Sequence, residues 1–152
     1  MRIEIVAIGR CRDSEVNNLV DRYAARCAWP ITVKELQLHR RLSGDQLKKS
    51  EAELLRRETH NIDRIVALDE KGDNLSSRAF ALCVGSWQDQ GVRSVAFLIG
   101  GADGLDRGLC DHASLRLALG RMTWPHLLIR AMLAEQLYRA STILAGHPYH
   151  RE

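Results

Sequence analysis

Apolar and polar positions along the chain follow two periods in turn. Ile3–Ile8 has the period of a strand, with Ile3, Ile5 and Ala7 opposite Glu4, Val6 and Ile8, and Gly9 ends it. Ser14 stands where a cap is wanted. Val16, Leu19, Val20, Tyr23, Ala24 and Cys27 then fall on one helical stripe, broken by Trp29-Pro30. Ile31–Leu38 reads as a second strand. Ser43 with Gln46 three residues on is a capping-box pattern, and the helix it opens, to about Glu58, is largely polar and expected on the surface.

The second half repeats the alternation. Arg64–Leu68 is a third strand, followed by Asp69-Glu70-Lys71-Gly72 as a loop. Ser76-Ser77 open a helix with Phe80, Cys83, Val84 and Trp87 inward, ended by Gln90-Gly91. Val95–Ile99 is apolar throughout and reads as a buried fourth strand. Asp106–Ala113 suits a short helix and Leu115–Leu119 a fifth strand. Thr123 and Pro125 announce the last helix, whose buried face is Leu128, Met132, Leu133, Leu137 and Ala140. Ile129 and Ile143 lie on its other side, which predicts a partner surface there. Gly146 and Pro148 stop it, and Pro148–Glu152 is too short for another element. Strands alternating with helices, with no linker or repeat, predict an α/β fold: one domain over 1–152, a parallel sheet with helices on both faces.

Composition narrows the class. At 152 residues, 45% of them hydrophobic, the chain suits one domain with a sizeable core. Cys11, Cys27, Cys83 and Cys110 form no CxxC pair, which fits free thiols in a reducing cytoplasm and gives no zinc site. No apolar run is long enough to span a membrane, and MRIEIVAIGR is too short and too charged for a signal peptide. The net charge of +3 permits an anionic partner without demanding one. His39-Arg40-Arg41, Lys48-Lys49 and Arg56-Arg57 suit an RNA-binding face and a solvated helix face about equally.

The candidate chemistry lies late in the chain. VAFLIGGADGL, residues 95–105, ends a strand in Gly100-Gly101 with Gly104 close behind. Glycines at the carboxyl end of a strand in an open α/β sheet let the backbone approach a ligand, or simply make a strand-to-helix turn. There is no G-x-G-x-x-G after the first strand, no P-loop and no G-x-S-x-G elbow, so a nicotinamide enzyme, an NTPase and an α/β-hydrolase lack their signatures. His147 and His150 without further ligands give no metal site. Glu135 and Arg139 are spaced for a local ion pair, and Arg130 is equally readable as a surface residue.

FLIGGADGL, RMTWPH, RAMLAEQLYRA and the terminal HPYHRE, in this order and joined by LDEKG and SSRAFA, resemble the ribosomal RNA large subunit methyltransferase H family of the SPOUT superfamily. The resemblance covers essentially the full length. Gly120-Arg121 and Trp124 depart from the residues common there. It implies a C-terminal trefoil knot, S-adenosyl-L-methionine as cofactor, and a homodimer whose sites are completed across the interface. The implied substrate is a pseudouridine of large-subunit rRNA, methylated at N3 on the ribosome. Leu68, Gly100 and the run Ala118, Leu119, Gly120, Arg121, Met122 and Thr123 match cofactor contacts, with Gly101 and Gly104 in the same loop. Leu68, Leu119 and Met122 would sandwich the adenine.

Methyl transfer from a sulfonium needs positioning rather than a metal. In the tail, Tyr149 is suited to stacking on a base or anchoring, His150 to proton exchange, and Arg151 to a developing negative charge. Arg130, Glu135 and Arg139 are expected to shape the RNA side. The competing class is a non-enzymatic RNA-binding module, which would leave the glycine loop and the tail unused. A frayed terminus is the plain alternative for the tail.

Overall fold

The protein is described from a computed structural model covering residues 1–38 and 42–150, so His39-Arg40-Arg41 of the basic cluster and Arg151 of the tail lie outside the described residues. The elements alternate as β1 (Arg2–Ile8), α1 (Ser14–Arg26), β2 (Ile31–Leu36), α2 (Gly44–Glu58), β3 (Arg64–Asn74), α3 (Ser77–Asp89), β4 (Ser94–Ile99), α4 (Arg107–Asp111), β5 (Leu115–Ala118) and α5 (His126–Leu144). The strands form a five-stranded sheet in the order β2-β1-β4-β3-β5, and every pairing is parallel. β1 and β4 are central and buried on both faces, which is why, apart from Arg2, Glu4 and Ser94, their residues are apolar on both sides of the pleat.

The two faces carry separate cores. Ile3, Ile5, Val66, Val95, Phe97 and Leu117 face α1, α3 and α5 and pack with Val20, Phe80, Val84, Trp87, Leu133 and Leu137. Val6, Ile8, Ala96 and Leu98 face the other way, onto Ala52 and Leu55 of α2 and Leu109 of α4. α2 is therefore half a core helix and not merely a surface one. A short apolar stripe sufficed because the sheet face beneath it is itself apolar.

Local details also differ from the pattern. Asp13, one residue earlier than expected, caps α1, its carboxylate accepting from the Glu15 and Val16 amides. Ser43 occupies the cap position of α2 without a side-chain bond. Ser76 does cap α3, through the Ala79 amide. Residues 69–72 are not a free loop. β3 continues to Asn74, and both Leu68 and Asp73 align with Leu117 of β5, so the intervening residues are a bulge thrown out of the strand.

Candidate active site

The chain after β4 folds back on itself. The Gly104 amide donates to the Gly101 carbonyl at 3.0 Å, and the two residues form an isolated antiparallel bridge. Gly104 has φ +77°, and a β-carbon on Gly100 would stand 2.6 Å from the Gly104 carbonyl carbon. What forbids a side chain at Gly100 is thus the loop's own backbone, whereas the sequence pointed to a ligand there.

The β3 bulge makes the opposite wall. A β-carbon on Gly72 would lie 2.6 Å from the Arg116 carbonyl carbon, so the bulge returns to β5 only because Gly72 is bare. Asp69 in the bulge accepts from Arg116 Nε at 2.6 Å and from the Lys71 amide at 3.1 Å. Burial opposes its ionisation, but the Lys71 amide and the Arg116 guanidinium outweigh it and hold the carboxyl below the usual range. The Cys110 thiol beneath is pushed up to about 11 by burial and by the Asp69 charge, which favours its neutral form.

A third backbone segment, residues 119–125, closes the site. Gly120 takes φ +113°, and Trp124 Nε1 donates to the Leu119 carbonyl at 3.1 Å, which pins the turn. Together the three segments enclose a cleft of about 1040 Å³ at the carboxyl ends of β3, β4 and β5. Leu68, Gly100, Gly101, Gly104, Leu119, Gly120, Met122 and Thr123 all line it, so the cleft gathers these candidate cofactor-binding residues in one place. Ala118 does not: it is buried and borders a groove on the other side of β5. Arg121 is exposed and lines neither. Met122 is 72% exposed although it lines the cleft. Lys48 and Lys49 reach the cleft rim from α2 and bring part of the basic cluster to it.

The tail residues assemble elsewhere. Tyr149 Oη donates to Glu135 Oε1 at 3.0 Å, and its ring packs 4.6 Å from that of Tyr138. Arg139 grips the same Glu135 oxygen through Nε at 3.0 Å and through Nη2, and its guanidinium lies 4.9 Å from the Tyr149 ring centre. Arg26 of α1 stacks on Tyr138 and donates to its hydroxyl at 2.7 Å. His150 Nδ1 sits 3.4 Å from Arg139 Nη1. Burial, with the bond to Glu135, pushes the Tyr149 phenol up to about 12. Tyr149 and His150 are therefore held against α5, and Tyr149 is spent on anchoring. Nothing in sequence order singled out Arg26, which lies on the polar side of α1.

Two expectations change here. Glu135–Arg139 is indeed a local pair, but one that also holds the tail. Arg130 is only 2% exposed and sits apart from the tail cluster. It donates to Glu35 Oε1 at 2.5 Å and to the Gly9 and Ile8 carbonyls, tying α5 to the ends of β1 and β2. It faces no solvent and so cannot meet RNA directly.

Among the described residues, none that lines the glycine cleft comes from the tail. A second, mainly apolar groove of about 540 Å³ lies between α1, α3 and α5, lined by Leu19, Tyr23, Leu75, Phe80, Leu128 and Met132 among others, and reaching Glu135. Leu117, Leu119 and Gly120 form the partition shared by the two. Ile129 and Ile143, expected to face a partner, are half-buried and pack in part on the chain's own core. Leu128 and Met132, which the helical pattern puts on the core face, are half-buried and line that apolar groove.

The family model described as "Predicted SPOUT methyltransferase" matches residues 1–150. Solved structures agree on the fold: a probable methylase family protein from Haemophilus influenzae Rd KW20 superposes with a TM-score of 0.61 at 9% identity, over 99% of this chain and 70% of that one. A probable methyltransferase from Bordetella pertussis Tohama I gives 0.59 at 13% identity, over 91% and 95%. Sequence relatives are far nearer. Ribosomal RNA large subunit methyltransferase H of Rhodospirillum centenum is 50% identical over 99% of both chains, and that of Paracoccus denitrificans 48% identical over 100% of both. The chain belongs to this family of SPOUT methyltransferases.

Proposed function

We propose that the protein is an S-adenosylmethionine-dependent methyltransferase that modifies N3 of a pseudouridine in large-subunit rRNA, on the assembled ribosome in the cytoplasm, as a homodimer with a C-terminal trefoil knot. The observation that carries the reading is the cleft itself: three turns that bring bare backbone to one place, flanked by Leu68, Leu117 and Leu119. Such a lining suits a purine ring between aliphatic side chains with its edges on main-chain amides and carbonyls. The full-length likeness to relatives named for large-subunit rRNA supports the substrate class. Among the described residues no helix is long and apolar enough to cross a membrane, and no group of His, Cys, Asp and Glu could hold a metal.

The cofactor supplies an electrophilic methyl group when bound, so the chain's own task is to hold it and to prepare the nucleophile. Leu68 and Leu119 would hold the adenine, and the turns at Gly100–Gly104 and Gly120–Thr123 the ribose and the amino-acid end. Pseudouridine N3 bears a proton that must leave before nitrogen can attack. His150 is the group to take it, and Arg151 the charge to steady the anionic ring. Glu135, Arg139 and Tyr149 position that tail.

The separation of tail and cleft within one chain favours the homodimer. Each tail cluster would serve the cleft of the other protomer, with the apolar groove and the exposed Met122 covered by the partner. The test is to offer labelled S-adenosylmethionine with whole ribosomes, free subunits and naked rRNA, then map the modified nucleotide. Label on N3 of one pseudouridine, from ribosomes above all, is the expected result. Cofactor binding with no transfer to any of the three would refute it.

A further inference from the structure

Gly101 is the one glycine of the loop whose conformation does not explain it, since positive φ belongs to Gly104 and the backbone crossing to Gly100. The reason lies in α2. A β-carbon on Gly101 would stand 3.0 Å from Glu51 Oε1 and 3.3 Å from Oε2. Glu51 is only 8% exposed, and its carboxylate lies against the bare Gly101 backbone. Burial, with the Asp103 charge adding to it, raises the carboxyl above its ordinary range, while the Gly101 amide and Lys48 oppose the rise.

We propose that Glu51 is a positioning residue for the cofactor: its carboxylate, carried on a helix packed into the sheet, receives the Gly101 amide and holds the glycine loop in its binding shape. A buried carboxylate that loses a donor is costly. Loop conformations that turn the Gly101 amide away are therefore disfavoured, and the cofactor meets a loop whose ordering is already done. Ala52 and Leu55, buried beside Glu51, fix the helix on the sheet. Arg56 one turn on lies 3.7 Å from Asp106 at the far end of the loop, so α2 holds both ends of the segment.

The inference rests on the reading of the glycine cleft as the cofactor site. Calorimetric affinity for S-adenosylmethionine is measured for the full chain and for Glu51→Gln, Glu51→Ala and Gly101→Ala, with thermal unfolding and the split of kcat and KM on ribosomes. Glu51→Gln keeps an acceptor and should stay within about threefold of the parent. Glu51→Ala removes it, and Gly101→Ala pushes the carboxylate away; each should weaken cofactor binding by about tenfold or more, the scale of one hydrogen bond to a charged group. KM for ribosomes should not move. A role in stability alone would lower the melting temperature and leave the affinity of the folded protein as it was, and that result for both Glu51→Ala and Gly101→Ala would overturn the proposal. Equal losses in Glu51→Gln and Glu51→Ala would overturn it too. Failure of the underlying reading looks different: the parent chain itself would not bind S-adenosylmethionine.

Discussion

Arg130→Met separates two roles that the sequence left open for this residue. Methionine keeps the unbranched stem that lies in the core and removes only the guanidinium. In the folded chain that head group satisfies Glu35 Oε1 at 2.5 Å, the Gly9 carbonyl at 2.7 Å and the Ile8 carbonyl at 3.4 Å. Breaking a buried ion pair from one side costs about 3–5 kcal/mol, because the other charge stays behind. Here the side chain of Glu35 is 28% exposed and also receives the Cys11 amide, so water and that amide relieve part of the loss. The low end, about 3 kcal/mol, is expected. That is roughly a hundredfold in the folding equilibrium. Urea unfolding at one fixed protomer concentration measures it, since dimerisation would otherwise enter the apparent stability. Glu35→Gln keeps an acceptor for Arg130 and should cost less. An Arg130→Met variant of parental stability that binds cofactor but no longer methylates ribosomes would refute the reasoning and return Arg130 to the RNA.

Gly72→Ala should open the β3–β5 contact, since its new carbon would meet Arg116 backbone at 2.6 Å; a loss of roughly 1–3 kcal/mol by thermal or urea unfolding is expected, and an unchanged melting temperature would refute the close approach. Tyr149 favours its neutral form when docked, so the docking contribution is complete below the ordinary phenol pKa of about 10 and is lost as pH rises through about 12. Phenolate absorbance of the parent against Tyr149→Phe should show one late-titrating tyrosine, and its absence would mean the tail is not held. Deleting residues 149–152 should leave cofactor affinity near that of the parent while methylation of ribosomes falls by roughly a hundredfold, the scale of a lost general base; normal turnover would place the chemistry elsewhere. Sedimentation at micromolar concentration should give a dimer, and a fully active monomer of 17.2 kDa would rule out the shared site.

The alternation of periods along the chain was enough to set the class of fold, because a strand buried on both faces and an amphipathic helix leave unmistakable local patterns: β1, β4 and α3 stand within a residue or so of where the pattern puts them. The glycine loop was legible for the same reason, as bare backbone at a strand end. Pairwise facts at long range were not. That residues 69–72 leave β3 and rejoin β5 depends on Gly72 meeting Arg116, far along the chain. Arg130 stayed open between a surface role and an RNA-side role because a helix with apolar residues on most sides gives a weak phase, and only the ends of β1 and β2 show what its charge answers. Glu51 looked like one acid in a polar helix until the sheet turned it inward onto Gly101. Local sequence determines which segments can bury a face. Which charge is buried against which backbone group is decided only when those faces close on one another.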